Sequence, residues 1–322
     1  MFVFGRQPFV FMKEKILKFY NYLKNYKYVK VLIESIKDFT QNDSINFAAS
    51  TAFYTIFSLP AFIILLLKVG STFYKKAEIK KELFFQIESL AGKEAVTTVE
   101  STINNIALDD SSVVSSSIAF AILAFSATTV FVSLQNGINH IWHIKSSPKR
   151  GYIKYIVNRL LSFSVVLSLG FILIVSLILD AIVSVVFTQL EFLLETYALK
   201  LSSLVEIIVS QLILVLIFTL LYKVLPDAKV RWRDTWLGAI ITAILFILGK
   251  FGIGFYLGNT DLGNTYGAAG SLVILLIWVY YSVIIFLFGA QITYYIAKIY
   301  GDDVRPISSA VRVELKEIED EA

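Results

Sequence analysis

The fold of this chain is decided between Tyr222 and Gln291, which read YKVLPDAKVRWRDTWLGAIITAILFILGKFGIGFYLGNTDLGNTYGAAGSLVILLIWVYYSVIIFLFGAQ. A short basic segment precedes a long apolar run, and a glycine-rich stretch separates that run from a second one. Each run has the roughly 20 apolar residues that a helix needs to cross a bilayer. This part of the chain therefore predicts two membrane-spanning helices that meet near one membrane surface.

Glycine is concentrated between the two runs, where six glycines fall within nineteen residues: Gly252, Gly254, Gly258, Gly263, Gly267 and Gly270. Each glycine costs a helix about 1 kcal/mol relative to alanine, so this density needs a physical reason. Two interpretations stay open. The chain turns round at the membrane surface, or its backbone opens to line a cavity, where irregular backbone is tolerated at membrane depth.

The whole chain has the composition of a membrane protein. Of its 322 residues 57% are hydrophobic and 17% are charged, against about 25% charged in soluble domains. The apolar residues form long blocks, which predict an all-α polytopic bundle of six spans: 47–69, 112–134, 160–187, 204–225, 236–257 and 268–296. Pro60 lies inside the first span and is expected to kink it.

The distribution of basic residues predicts the orientation of the bundle. Of the 29 lysines and arginines, 21 fall in the two terminal segments and in the loops after spans two and four, and six fall in the opposite loops. The positive-inside rule therefore places both termini in the cytoplasm. Residues 1–40 form a basic amphipathic arm, 41–300 the six-span domain with an outer amphipathic loop at 71–111, and 301–322 a charged tail that is frayed or a solvated helix.

Ionisable residues inside spans are the first functional candidates, because an unpaired charge is costly in a membrane. Asp180 and Lys250 both lie in the predicted outer halves of their spans, near the glycine-rich stretch. We therefore predict a cavity or substrate site at the outer side, formed by Asp180, Lys250, Gly258, Asn259, Asn264 and Tyr266. Predicted hinges are Pro60, Pro226 and Gly267, and predicted lipid-headgroup contacts are Lys149, Arg150, Arg231 and Arg233.

Enzymatic and metal chemistry find little support in the sequence. There are no cysteines, and the only histidines, His140 and His143, flank Trp142. Two histidines without nearby carboxylates make a poor zinc site, which needs three or four ligands. We interpret this segment as part of an interfacial aromatic belt. We expect no metal, cofactor, enzymatic activity or nucleic-acid partner; membrane lipids are the expected partners, and homo-oligomerisation stays open.

Several strings, in order, resemble the YihY/virulence factor BrkB family, once labelled ribonuclease BN. They are Ala48–Tyr54 with Ser58–Pro60, Asn136–Trp142, Tyr222–Asp227, Val230–Asp234 with Gly238-Ala239, and Tyr266–Ala268 with Trp278, Tyr280 and Gly289-Ala290. The resemblance implies a six-span bacterial inner-membrane protein with transport or envelope roles. It also implies an acidic residue after the last Gly-Ala, where this chain has Gln291, so a proton-carrying carboxylate is not expected there.

Two hypotheses about function follow. The first is transport, or lipid and envelope-related handling, of an amphipathic or anionic substrate through a cavity open to the outer side. The second is a scaffold protein of the cell envelope that transports nothing. A ribonuclease is not expected, because metal-dependent phosphodiester cleavage needs clustered carboxylates or histidines.

Overall fold

The computed structural model describes residues 27–71, 75–91, 96–97, 99–101, 103, 113–147, 196–258, 260 and 270–314. The predicted third span, 160–187, and most of the N-terminal arm lie outside these residues. So do seven residues predicted to act at a site or hinge: Lys149, Arg150, Asp180, Asn259, Asn264, Tyr266 and Gly267.

Long helices dominate the described residues. They are α1 Lys27–Gln41, α2 Ser44–Gly70, α3 Lys76–Ala91, α4 Val113–Ile141, α5 Thr196–Val224, α6 Trp232–Gly258 and α7 Gly270–Tyr300. Three stretches within them are long and apolar enough to cross a membrane: Ser44–Ile64, Trp232–Tyr256 and Leu272–Tyr300. A shorter apolar stretch, Ile208–Val224, lies in α5. Five of the six predicted spans thus coincide with a helix, and the remaining one, the third span, lies outside the described residues.

Helix α7 is the centre of the described bundle, because it contacts every other helix, and α2 packs mainly on α4 and α7. Helix α6 lies between α5 and α7, and the amphipathic α1 lies across α7. Pro60 is buried inside α2, which stays continuous from Ser44 to Gly70. In the predicted outer loop, α3 packs on α2, and an ion pair of 2.8 Å joins Lys80 to Glu100.

Two small antiparallel sheets add to the predicted helical architecture and correct the prediction for the tail. Strand β1, Ile144–Ser146, pairs with β4, Ala310–Arg312, and β2, Ala228–Lys229, pairs with β3, Arg305–Pro306. Residues 305–306 and 310–312 are therefore strands joined by a turn, rather than a frayed or helical tail. The backbones that follow α4 and α5 supply the hydrogen bonds that a solvated helix would have made within itself.

The small sheets lie at one end of the bundle, together with α1. This end also contains the end of α4, the start of α6 and the end of α7. We term it the basal platform and define it as residues 27–43, 136–147, 222–234 and 289–312. The described parts of the N- and C-terminal segments therefore lie at the same end of the bundle, as an even number of spans would require.

Four of the six glycines in the glycine-rich stretch belong to helices. Gly252, Gly254 and Gly258 lie within α6, and Gly270 begins α7, whereas Gly263 and Gly267 lie outside the described residues. A Cβ at Gly252 or Gly254 would meet nothing within 4 Å. At these two positions neither backbone conformation nor close packing requires glycine.

Candidate functional site: an apolar cavity above a polar platform

The platform is organised around the buried carboxylate of Asp227. Its Oδ2 accepts hydrogen bonds from Asn139 Nδ2 at 3.2 Å and from the Ser146 hydroxyl, and its backbone N–H donates to Asn139 Oδ1 at 2.8 Å. The carbonyl of Asp227 accepts from Ile307 N–H at 3.1 Å. One residue thus joins α4, β1, the α5–α6 connection and the C-terminal segment. Because burial of a carboxylate is costly unless it is hydrogen-bonded, these contacts must form together.

A second polar cluster attaches α1 to the platform. Asp38 Oδ2 accepts hydrogen bonds from Gln291 Nε2 at 2.8 Å and from the Tyr295 hydroxyl at 3.2 Å, and it lies 3.6 Å from His143 Nε2. Burial alone would raise the pKa of Asp38. The hydrogen bond and positive charge of His143, together with the bonds from Tyr295 and Gln291, outweigh burial and lower the pKa below its ordinary value of 3.8.

A carboxylate therefore lies beside Gln291 even though Gln291 is not acidic itself, because α1 brings Asp38 to it. The Gln291 side chain is fully buried, and its Oε1 has no hydrogen-bond partner among the described residues. The sequence reasoning missed Asp38. The available signal was its position beside an apolar stripe of α1, in which Val31, Ser35 and Phe39 recur every four residues and are buried.

Trp142 is an internal anchor, so its prediction as part of an interfacial belt is wrong. Its side chain is 0% exposed, and its Nε1 donates to the carbonyl of Ala290 at 2.9 Å. The motif Asn136–Trp142 forms the last turns of α4 and the residue after it, rather than a loop. His143 follows with a φ of 54°, a left-handed conformation that is unusual for a residue other than glycine.

Two close contacts between α6 and α7 explain the Gly-Ala pairs of the sequence. A Cβ at Gly238 would overlap Thr293, and a Cβ at Gly289 would overlap the hydroxyls of Thr242 and Tyr222. The Tyr222 hydroxyl also donates to the carbonyl of Phe286 at 2.8 Å. Glycine is required here because the helices approach each other closely, as small residues allow in membrane bundles.

The basic motif before α6 is partly neutralised within the platform. Arg231 Nε lies 3.0 Å from the buried Asp234 carboxylate, its Nη1 lies 3.4 Å from Asp302, and its Nη2 donates to the carbonyl of Tyr300. The hydrogen bond and the charge of Asp234 raise the pKa of Arg231 above its ordinary value, which is already high. Arg233 is exposed and has no ion pair or side-chain hydrogen bond with another residue in the described parts of the chain.

A hollow of about 470 Å³ opens on the platform beside the two histidines. Its polar lining consists of Asn136, Asn139, His140, His143, Lys145 and Ser146. The His140 ring lies against Phe47, with centroids 4.5 Å apart. Burial lowers the pKa of His140, and the negative charge of Asp43 opposes that effect only in part. His140 is therefore predominantly neutral at pH 7. No group of three potential metal ligands occurs among the described residues.

An apolar cavity of about 290 Å³ lies deeper in the bundle, bordered by five helices that run through the predicted membrane region and by α3. Its lining along α7 runs from Leu275 to Phe286. The only hydroxyl-bearing lining residues described, Thr55 and Ser282, donate to carbonyls of their own helices, at 2.7 and 2.8 Å. The cavity therefore offers a hydrocarbon surface and almost no free polar group. The other lining residues are Leu59, Ile87, Val130, Leu134, Phe218, Leu221, Phe246, Trp278, Val279 and Val283.

One donor in the cavity lining has no partner. The indole Nε1 of Trp278 is buried and forms no hydrogen bond with the residues described, although Trp278 borders the cavity. Leaving a buried donor unsatisfied costs about 1–3 kcal/mol. The hydroxyl of Tyr281, pressed against Gly249, is also buried and without a partner among the described residues.

Of the six residues predicted to form the outer site, the described residues include only Lys250 and Gly258, both in α6, so the site stays a prediction. Lys250 lies near the end of α6, is partly exposed, and is followed by the openly spaced Gly252 and Gly254. Asp180 lies outside the described residues, so its pairing with Lys250 stays a prediction. Of the predicted hinges, Pro60 is in α2 and Pro226 is buried between α5 and β2. Arg231 and Arg233 lie together at the start of α6.

The long apolar helices and their connections define a polytopic helical membrane protein. More particularly, the chain belongs to the Virulence factor BrkB family, whose model matches residues 35–312. This confirms the resemblance found in the sequence motifs.

Relatives known from sequence carry the name UPF0761 membrane protein. One from Alteromonas mediterranea is 29% identical over 79% of this chain and 83% of its own length, and one from Haemophilus influenzae is 27% identical over 80% and 91%. One from Pseudomonas aeruginosa is 34% identical over 52% of this chain, which is 39% of that protein. No solved structure matches the chain.

Proposed function

We propose that this protein binds and moves an amphipathic, lipid-like molecule in the bacterial inner membrane. In this proposal the chain crosses the membrane six times with both termini in the cytoplasm, as its lysine and arginine distribution favours. The basal platform is then the cytoplasmic end, and the apolar cavity lies at membrane depth. The proposal involves no catalytic step and no nucleic acid.

The observation that carries the proposal is the apolar cavity, whose described lining includes one buried donor, the Trp278 indole N–H, without a partner among the described residues. A purely apolar cavity of roughly 150 Å³ in a soluble protein binds benzene, so the cavity of about 290 Å³ has room for part of an acyl chain. An ion or a sugar would find almost no hydrogen-bonding group in its described lining. The indole N–H of Trp278 suits an ester or headgroup oxygen of the same molecule.

Filling the cavity tests the proposal without removing a structural contact. Ser282→Leu in α7 and Thr55→Leu in α2 add hydrocarbon to the cavity from two of its helices and remove hydroxyls that bond only to their own helices. We expect both variants to fold and to lose transbilayer movement of a fluorescent phospholipid in reconstituted vesicles. Leu248→Ile, on the exposed face of α6, is the matched control. Equal lipid movement in wild type and filled variants, or none above protein-free vesicles, contradicts the proposal.

A scaffold role is the second candidate, and the platform is the observation that favours it. Two sheets and two buried polar clusters hold four separate segments of the chain in one surface. Affinity capture of the intact protein from native membranes distinguishes the two roles. A stoichiometric protein partner that is lost when exposed platform residues change supports the scaffold, and a protein that carries only lipid supports the first proposal.

A further inference from the structure

A second hollow, of about 370 Å³, lies between α1 and the adjoining ends of α6 and α7, away from the apolar cavity. Val31 and Leu32 of α1 form one wall. The other walls are formed by Arg231, Arg233, Asp234, Leu237, Ile241, Ile292, Ile296 and Tyr300. We term the whole hollow the basal groove. None of these residues lines the cavity described above.

The chemistry of the basal groove changes with depth. Arg231, Arg233 and Tyr300 lie at one level, since Arg231 Nη2 donates to the carbonyl of Tyr300. Leu237 follows one helical turn further along α6 and Ile241 two turns further, about 12 Å from Arg233 at 1.5 Å per residue. On the antiparallel α7, Ile296 and Ile292 descend in the same order. The groove is therefore polar at its mouth and apolar at depth.

The charge at the mouth favours an anion. The Arg231 guanidinium is held by the Asp234 and Asp302 carboxylates, so these three groups leave no positive charge to spare. Of the two arginines that line the groove, Arg233 is the one without an ion pair among the described residues, and the positive end of the α6 dipole lies beside it. Acidic Asp302 is two-thirds exposed and lies on the Tyr300 side, so the attraction to an anion is centred on Arg233.

The position of the groove favours a membrane molecule over a soluble one. Trp232 and Trp236 are substantially exposed at the start of α6, beside Arg233, and Leu32, Leu237 and Ile241 are exposed apolar residues around the groove. Exposed tryptophans next to arginine at the end of an apolar helix are typical of the membrane–water interface. The mouth of the groove thus lies at headgroup level and its apolar part at the level of the acyl chains.

We propose that the basal groove is a binding site for one anionic phospholipid, whose phosphate binds Arg233 and whose acyl chain lies along Leu237, Ile241 and Ile296. This site is separate from the apolar cavity and does not depend on transport. Because α1 forms one wall, an occupied site also joins the N-terminal segment to α6 and α7.

The test is native mass spectrometry of the intact protein released from nanodiscs that contain phosphatidylglycerol and phosphatidylcholine in equal amounts. We expect one retained phosphatidylglycerol per protein, with about five-fold weaker retention in Arg233→Gln, since one basic residue near an anionic headgroup contributes about that factor. Lys229→Gln removes an equal charge from the exposed strand β2, outside the groove, and is expected to retain the lipid.

A second variant tests the apolar half. Leu32→Gln keeps every charge but places an amide in the wall of the groove, and we expect it to weaken retention as well. Soluble glycerol phosphate at the same concentration is expected not to bind, because it has no acyl chain. Equal loss in Arg233→Gln and Lys229→Gln, equal retention of both lipids by wild type, or binding of glycerol phosphate overturns the proposal.

Discussion

The two ends of α7 differ in the interactions that surround them, which are mainly hydrogen bonds at one end and mainly apolar contacts at the other. Around its C-terminal end, the platform holds buried carboxylates, amides and the Trp142 indole in a hydrogen-bonded network, in which Ser35 Oγ and Gln291 Oε1 have no partner among the described residues, and Gly289 is required by close helix contact. Around the N-terminal half of α7, the cavity lining is apolar, the Trp278 donor has no partner among the described residues, and Gly252 and Gly254 of α6 face open space.

The difference suits the platform to a single arrangement of its helices and the cavity region to several arrangements of its side chains. Directional hydrogen bonds in a buried network allow one arrangement, because every unsatisfied member is costly. Apolar contacts have no preferred direction and tolerate repacking when volume is conserved. The platform is therefore suited to fix the relative positions of the helices, and the cavity region is suited to admit molecules of variable shape.

The largest expected effect comes from removing the centre of the platform. Asp227→Ala leaves the buried Asn139 amide and the Ser146 hydroxyl without their shared acceptor, which we expect to cost roughly 2–4 kcal/mol of unfolding free energy. Thermal unfolding of the purified protein in detergent measures the loss. Asn136→Ala, on the exposed face of the same helix end, is the control, and equal melting temperatures for the two variants would show that the network is not stabilising.

A pair of identical substitutions compares the two regions directly. Gly289→Ala places a Cβ onto Thr242 and Tyr222, and we expect it to destabilise the protein by about 1–3 kcal/mol. Gly254→Ala places a Cβ in open space within α6, and we expect it to stabilise by up to about 1 kcal/mol through helix propensity. Opposite signs in detergent unfolding support the comparison, and a destabilising Gly254→Ala would indicate that this glycine has another role.

The attachment of α1 is expected to be weaker and to depend on pH. The pKa of Asp38 is lowered in the folded protein, so its contribution is fully present above its ordinary value of 3.8 and is lost as the pH falls through the lower folded value. We therefore expect α1 to stay attached across the physiological range. The physical reason is that the charged form of Asp38, not the neutral form, makes the favourable contacts with His143.

Asp38→Asn is expected to weaken this attachment at neutral pH by about 1 kcal/mol, since the amide can still accept from Gln291 but loses the charge. A single cysteine at the buried Ser35 reports detachment, because the chain has no other cysteine. Maleimide should label Ser35→Cys about five-fold faster in the Asp38→Asn background. An exposed Ile36→Cys is the control, whose labelling should not change.

The smallest effect on stability is expected at Trp278. Trp278→Phe removes the unpaired buried donor and keeps the aromatic contact with Phe246, so unfolding should change by less than about 1 kcal/mol. Retention of a phospholipid in the cavity should nevertheless fall several-fold in native mass spectrometry, because the lipid loses a hydrogen-bond donor. Unchanged retention would mean that the indole N–H does not contact the substrate.

The sequence predicted the long helices of the described residues, three of which are long and apolar enough to cross a membrane, because helix length and apolar composition act locally along the chain. It also placed Arg231 and Arg233 at a surface, since positive charge beside an apolar run is a local signal. The family motifs were found, but Asn136–Trp142 was placed in a loop because its small and polar residues interrupt the apolar run. In the structure those residues continue α4, and their side chains form hydrogen bonds with partners far along the chain, such as Asp227 and Ala290.

The candidate site was only partly predictable. The outer site was inferred from ionisable residues, which stand out in an apolar sequence. The apolar cavity is lined by residue types that occur throughout the chain, so no residue in the sequence indicates it. Its lining comes from six helices, and which of their leucines and phenylalanines border a gap depends on packing. The strands at 305–312 escaped prediction for a similar reason, because their pairing partners lie some 80 and 165 residues away.

The most direct test of the central claim, that the apolar cavity holds an acyl chain, is photo-crosslinking with a phospholipid that carries a diazirine in its acyl chain. After irradiation of the reconstituted protein, mass spectrometry identifies the modified residues. The account predicts adducts on cavity residues such as Leu134 and Val279 that disappear in Ser282→Leu, while adducts on the exposed Leu248 and Phe251 persist. Adducts confined to the exposed face, or cavity adducts unchanged in Ser282→Leu, would contradict it.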